Sequence, residues 1–209
     1  MSDLINNQTD SELIIKRLPI FPLRTVLFPE GPLSLKIFEP RYLDMLTECE
    51  KNGTGFGICL IRKGNETGKA ADIYSVGTMA QVTFWENRKD GLLGVSIKGE
   101  RKFHILNKTV EKDELTVAEV QLVELEPAQS VPDQFLPMVK VLEKIMQSLQ
   151  HPYITLEKKY NNACWVGSRL GEILPLSLEK KQQLLEMNEA NARLAMLYDE
   201  MLTMGILSE

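Results

Sequence analysis

Several stretches of this chain carry residue types that can do chemistry, and each departs from the spacing that its chemistry requires. Gly167-Ser168-Arg169-Leu170-Gly171 sets a serine among glycines, but a nucleophile elbow needs Gly-x-Ser-x-Gly at a strand-to-helix turn. This serine falls in a helical pattern, where small residues let two helices approach, and no catalytic role is expected of it. Gly64-Asn65-Glu66-Thr67-Gly68-Lys69-Ala70 looks like a phosphate loop, yet it has three residues between its glycines where the motif needs four. Ala70 also stands where the motif has a magnesium-binding hydroxyl. A mobile surface loop is the expectation. His104 and His151 have no Glu or Cys cluster at ligand spacing around them, so no metal, cofactor or histidine-dependent catalysis is expected.

The charged residues are similarly quiet. Asp113 with Glu114, and Glu124 with Glu126, sit at turns or strand ends and read as solvated carboxylates. The basic run Lys98-Gly99-Glu100-Arg101-Lys102 is interrupted by Glu100 and lacks interleaved aromatics, and the net charge is -5. Nucleic acid and anionic lipid are therefore not expected partners. Cys49, Cys59 and Cys164 are an odd number without a Cys-x-x-Cys pair, which suits buried reduced thiols rather than a disulfide framework or a zinc knuckle. The N-terminus lacks a basic region followed by an apolar one, and no later run approaches the ~20 apolar residues of a membrane helix. A cytoplasmic location with no membrane association is expected.

The elements that would position such residues divide the chain in two. Up to about Glu126 the apolar residues alternate in short runs; beyond Val131 they recur at three and four. The change from period two to period 3.6 predicts an α+β chain, with a β-rich part at 16–126, a helical bundle at 127–209 and a flexible N-terminus at 1–15. Strands are expected at residues 17–23, 54–62, 80–85, 92–98, 102–110 and 115–123. A tight hairpin turn at Asp90-Gly91 would pair Phe84 with Ile97 and Trp85 with Ser96. In the helical part, Phe135, Met138, Val139, Leu142, Ile145, Met146 and Leu149 form one apolar stripe. Ala190, Leu194, Leu197, Tyr198, Met201 and Leu202 form another. Residues 163–174 make a further helix ending before Pro175; Ser177 and Asn188 are expected to cap the last two helices.

Between Leu27 and Tyr42 three prolines punctuate the chain. Pro29-Glu30-Gly31 supplies a turn, with glycine expected in the conformation a side chain resists. Pro32 opens a strand in which Leu33, Leu35 and Ile37 share a face. Pro40 begins a helix in which Tyr42, Met45, Leu46 and Cys49 share one.

These motifs resemble the amino-terminal substrate-binding domain of Lon-type ATP-dependent proteases. The resemblance begins with Leu18-Pro19-Ile20-Phe21-Pro22-Leu23, then Val26-Leu27-Phe28-Pro29-Glu30-Gly31, then Ile37-Phe38-Glu39-Pro40-Arg41-Tyr42. It continues through Gly55-Phe56-Gly57-Ile58-Cys59-Leu60-Ile61 and Val76-Gly77-Thr78-Met79-Ala80-Gln81-Val82 to Gly99-Glu100-Arg101-Lys102-Phe103-His104-Ile105. The last is similar to a Gly-x-x-Arg-Phe-x-Ile pattern with Lys102 in place of the arginine, which puts a fork-shaped hydrogen-bonding role there in question.

The resemblance implies a PUA-like, β-rich partial barrel followed by a helical bundle. It also implies a free-standing Lon-domain protein without the ATPase and peptidase domains. The function it implies is non-enzymatic recognition of unfolded or apolar polypeptide segments, in the setting of a protease or chaperone system. Two physical routes are open: an apolar groove at the junction of sheet and helices, or strand addition to an open sheet edge. Trp85 is a candidate substrate-binding contact if Phe84 points into the core; the alternative, that the helical part covers Trp85, stays open. Met138, Met146, Met201 and Met204 are adaptable side chains, the first three at core spacing. An RNA-binding PUA-like protein is the alternative function.

Overall fold

The computed structural model describes residues 14–87 and 93–207. Strands β1 (Ile14–Leu23) and β2 (Pro32–Ile37) precede helix α1 (Pro40–Asn52), and β3 (Phe56–Lys63), β4 (Asp72–Asn87), β5 (Leu93–Val110) and β6 (Thr116–Leu122) follow it. Helices α2 (Leu136–Ser148), α3 (Ala163–Ile173), α4 (Leu178–Glu186) and α5 (Ala190–Thr203) complete an α+β chain.

β5 pairs with β4 along most of its length and with β6 through its C-terminal half, so β1, β3, β4, β5 and β6 close a ring. β2 pairs with the N-terminal half of β5, and among the described residues its other edge has no partner strand. The pairings are antiparallel except β1 with β3, whose parallel register is made possible by the long crossover through β2 and α1. The barrel thus keeps one appended edge strand.

The proline punctuation holds, with one change of role. Gly31 N–H donates to the Phe28 carbonyl across the turn (3.0 Å), but the residue with positive φ is Glu30, at +59°. Gly31 is needed for room: a Cβ there would lie 2.5 Å from Glu172 Oε1 and 2.9 Å from Arg169 Nη2. The turn docks on Gly99, which donates to Gly31 O and accepts from Glu30 N–H, each at 2.8 Å. Gly99 therefore carries β5 through as one strand where the sequence pattern suggested two, because backbone rather than side chain packs against it.

α1 buries Tyr42, Met45, Leu46 and Cys49 against the barrel end formed by Phe21, Leu27 and Ile58. Most of each predicted helical stripe is buried, with Ile145, Leu149, Tyr198 and Leu202 half-buried, and the cluster of the buried residues includes Val26, Phe28, Leu60 and Val76 from the sheet half. The two halves therefore share apolar packing. Met138, Met146 and Met201 lie in it, whereas Met204 is exposed. Gly167 faces Arg193 of α5, and Gly171 faces Phe28 and Leu184, which is the close approach small residues allow. Ser177 caps α4 by accepting from Lys180 N–H (3.2 Å). Asn188 does not cap α5; Glu189 occupies that position, and the Asn188 side chain is engaged by Lys102.

The Asp90-Gly91 turn lies outside the described residues, but the register it implied is displaced by one. Phe84 stands opposite Ser96 and Trp85 opposite Val95, because an irregularity between Val82 and Phe84 inserts one residue into β4. Thr83 Oγ1 donates to the Ser96 carbonyl there (3.0 Å). With a side-chain period of two, one inserted residue exchanges the faces of those that follow.

Candidate functional site

The inserted residue turns Phe84 outward. Its ring is 60% exposed, and Trp85 packs inward against the cluster beneath α1. Phe84 stands over a concave surface between the outer face of β2, β5 and β4 and the segment following α2. One part, of about 470 Å³, is floored by Pro32, Ser96, Ile97 and Lys98 and walled by His151, Pro152, Thr155 and Leu156. A second part, of about 340 Å³, shares Phe84, Ser96 and His151 and extends across Ser34, Leu35 and Lys36 to Glu86. Ile154, also 60% exposed, lies in the same 151–157 wall.

The wall is held by its own hydrogen bonds. Lys158 Nζ donates to the carbonyls of Tyr153 (3.2 Å), Ile154 (3.0 Å) and Leu156 (2.7 Å). Thr155 Oγ1 closes on Pro152 O at 2.9 Å. Lys159 Nζ reaches Glu30 Oε2 at 2.6 Å, tying the wall to the Pro29-Glu30-Gly31 turn. Chemically, the groove offers apolar side chains, a few hydroxyls and one imidazole together with the charged side chains of Lys36, Glu86, Lys98 and Glu157, an arrangement able to hold apolar groups between polar margins.

Two buried charge clusters fix the sheet half against the helices, and the sequence pattern did not reveal them. At the seam, Arg193 grips Glu126 with two bonds (3.0 and 2.7 Å). Lys102 Nζ gives one bond each to Glu126 (3.1 Å), Met187 O (2.8 Å) and Asn188 Oδ1 (2.8 Å). Lys102 thus replaces a planar fork with three separate donations. Glu126 is a buried member of this cluster rather than a solvated carboxylate. Burial works to raise its pKa, but Arg193 and Lys102 outweigh it and leave the group below its ordinary range. Burial lowers the Lys102 pKa, with Glu126 partly opposing.

Under the turn, Arg169 is fully buried and donates through Nη2 to Pro29 O (2.9 Å), with Nε 3.1 Å from Glu172. Burial pushes the Glu172 carboxyl up to about 7, against the pull of Arg169 and Lys181. Arg169 and Arg193 share a signal that could have found them: each occupies a core-facing position in an apolar helical stripe, beside Leu170 and Leu194.

The other residues singled out from sequence disperse. Ser168 is buried in α3, and His104 and His151 lie exposed on different elements. Loop 64–70, expected to be mobile, is tethered. Glu66 accepts from Arg24 N–H (2.6 Å), Glu39 from Gly68 N–H (3.3 Å) and Glu114 from Ala70 N–H (3.0 Å). Cys49 and Cys59 are buried; Cys164 is half-buried, with its thiol pushed up to about 11 by burial and then by Glu126. Of the basic run, Lys102 is buried and Arg101 Nε donates to Val123 O (2.6 Å). No group of three or more metal-ligating side chains occurs among the described residues, and no helix among them is long and apolar enough to cross a membrane.

A closed ring with an appended edge strand and a docked helical half defines the α+β fold class of the chain. Residues 17–203 match the family of ATP-dependent protease La (LON) substrate-binding domains, and the chain belongs to that family. A Lon N-terminal domain protein from Xanthomonas campestris is 31% identical, superposes with a TM-score of 0.74 and covers 88% of this chain and 98% of that one. The N-terminal domain of Mycobacterium avium complex Lon protease shares the fold at 18% identity, with a TM-score of 0.60 over 88% of this chain and 97% of that one. Lon protease of Anaeromyxobacter dehalogenans is 23% identical over 189 residues, 87% of this chain and 22% of that protein. The chain spans about a quarter of the length of such curated relatives.

Proposed function

We propose that this chain recognises polypeptides by taking exposed apolar side chains into the groove beneath Phe84. The observation that carries the reading is a large apolar side chain, Phe84, 60% exposed over a concavity of about 470 Å³ whose wall segment, 151–157, also carries the 60% exposed Ile154. Membership of a substrate-binding family supports a polypeptide occupant. A Lon-type protease or a related unfolding machine is the proposed setting. Trp85 is assigned a supporting role: it anchors the strand that presents Phe84, while Phe84 makes the contact. Burial of Lys102 inside the seam removes one basic side chain from the surface that the RNA alternative would need.

The test is binding of reduced, alkylated α-lactalbumin, compared with the native protein, by wild type and by Phe84→Ser and Ile154→Ser. Selective binding of the unfolded form that falls at least about fivefold in each variant is the expected result. Equal binding by the variants would remove the groove. Binding of single-stranded RNA alone, with a steep salt dependence, would replace the reading with the nucleic-acid one.

A further inference from the structure

β2 carries a second concavity on its unpaired side. Phe21 and Leu23 of β1, Leu35 and Ile37 of β2, Phe38 and Tyr42 line a hollow of about 250 Å³. The Phe21 and Tyr42 rings stack there with centroids 4.1 Å apart, and Phe38 is 58% exposed. Glu66 and Thr67 of the tethered loop, and Glu39, also line the hollow. Ser34, Leu35 and Lys36 border both this hollow and the Phe84 groove.

This arrangement combines three chemistries on one line. A strand edge without a partner among the described residues presents main-chain donors and acceptors at the spacing of another extended chain. The aromatic hollow beside it accepts one bulky side chain, and the Glu66 carboxylate, of which Oε1 accepts from Arg24 N–H, complements a cation there, whereas Glu39 is already paired with Arg41 (3.0 Å). Lys36 also borders the hollow, its side chain leaving the strand on the face opposite Leu35 by strand alternation.

We infer that the outer edge of β2 receives an extended polypeptide strand, with one bulky apolar residue in the Phe21–Tyr42 hollow and an adjacent Lys or Arg against Glu66. The inference rests on polypeptide binding as proposed above but assigns it a second, strand-adding subsite and a sequence preference.

The probe is a fluorescein-labelled decapeptide of Ser and Thr with a central Phe-Lys pair, alongside versions carrying Phe-Glu and Ala-Lys. Anisotropy titration of the whole chain is expected to rank Phe-Lys first. Phe38→Ala should weaken it by at least about fivefold. Glu66→Gln, which keeps the acceptor for Arg24 N–H, should reduce the preference for Lys over Glu by about twofold to fivefold. Backbone N-methylation of the peptide, which leaves the protein unaltered, should weaken binding at alternate positions only, because every second amide of an added strand faces β2. Amide shifts in an NMR titration should centre on residues 33–38. Shifts confined to Phe84 and residues 151–157, or N-methylation without alternation, would overturn the strand-addition subsite while leaving the groove reading intact. Absence of binding by this peptide together with retained capture of unfolded α-lactalbumin through Phe84 would also overturn it.

Discussion

The two buried arginine–glutamate clusters use the same ion pair and arrive at opposite protonation tendencies. At the seam, Glu126 receives a two-pronged grip from Arg193 and a bond from Lys102, and its pKa falls. Under the turn, Glu172 has Arg169 Nε at 3.1 Å and is more completely enclosed, and its pKa rises to about 7. The difference teaches that pairing alone does not decide the charge state of a buried acid. The number and geometry of the donations must outweigh the cost of removing it from water.

The largest test of this contrast is Glu126→Ala. It leaves Lys102 and Arg193 buried without their counterion, and urea unfolding should show a loss of about 3–5 kcal/mol. Next comes Gly31→Ala, which drives a methyl against Glu172 Oε1 (2.5 Å) and the backbone oxygen of Phe28 (2.9 Å). It should cost about 1–3 kcal/mol by the same measurement, the usual range for overpacking.

The pH dependence separates the clusters by sign. Glu172 binds its proton more tightly when folded, so its contribution is fully present below its ordinary pKa of 4.5 and is lost as pH rises toward 7. Glu126 binds its proton less tightly when folded, so its contribution is present above 4.5 and lost as pH falls. In unfolding curves across pH 3–8, Glu172→Gln should remove the downward component between 4.5 and 7. Glu126→Gln should remove the acid-side loss instead. The smallest stability effect belongs to Phe84→Ser, within about 0.5 kcal/mol because the ring is exposed; a larger loss would mean that the groove floor is structural.

Much of the fold was legible because it is written in local periodicity. The buried face of α1, the two apolar stripes of the helical half and the three prolines each follow from spacings of a few residues. The register of β4 against β5 was not legible, since nothing in Thr83 announces an inserted residue, and that insertion decides whether Phe84 or Trp85 faces outward. Nor were the charge clusters. Lys102 meets Asn188 across 86 positions and Arg169 meets Pro29 across 140, so their partners exist only once the chain has folded. A lysine in a strand and an arginine in an apolar stripe are ambiguous until then. An apolar groove at the junction of sheet and helices was an expectation of place alone, and the residues lining the concavity under Phe84 were not legible, for the same reason.

Lys158 gathers three carbonyl oxygens of the 151–157 segment under one ammonium group. A visiting chain would therefore meet a receptor already in its docked shape. The ordering cost of association would fall on the visitor, and speed of capture would be governed by how often that visitor samples an extended form.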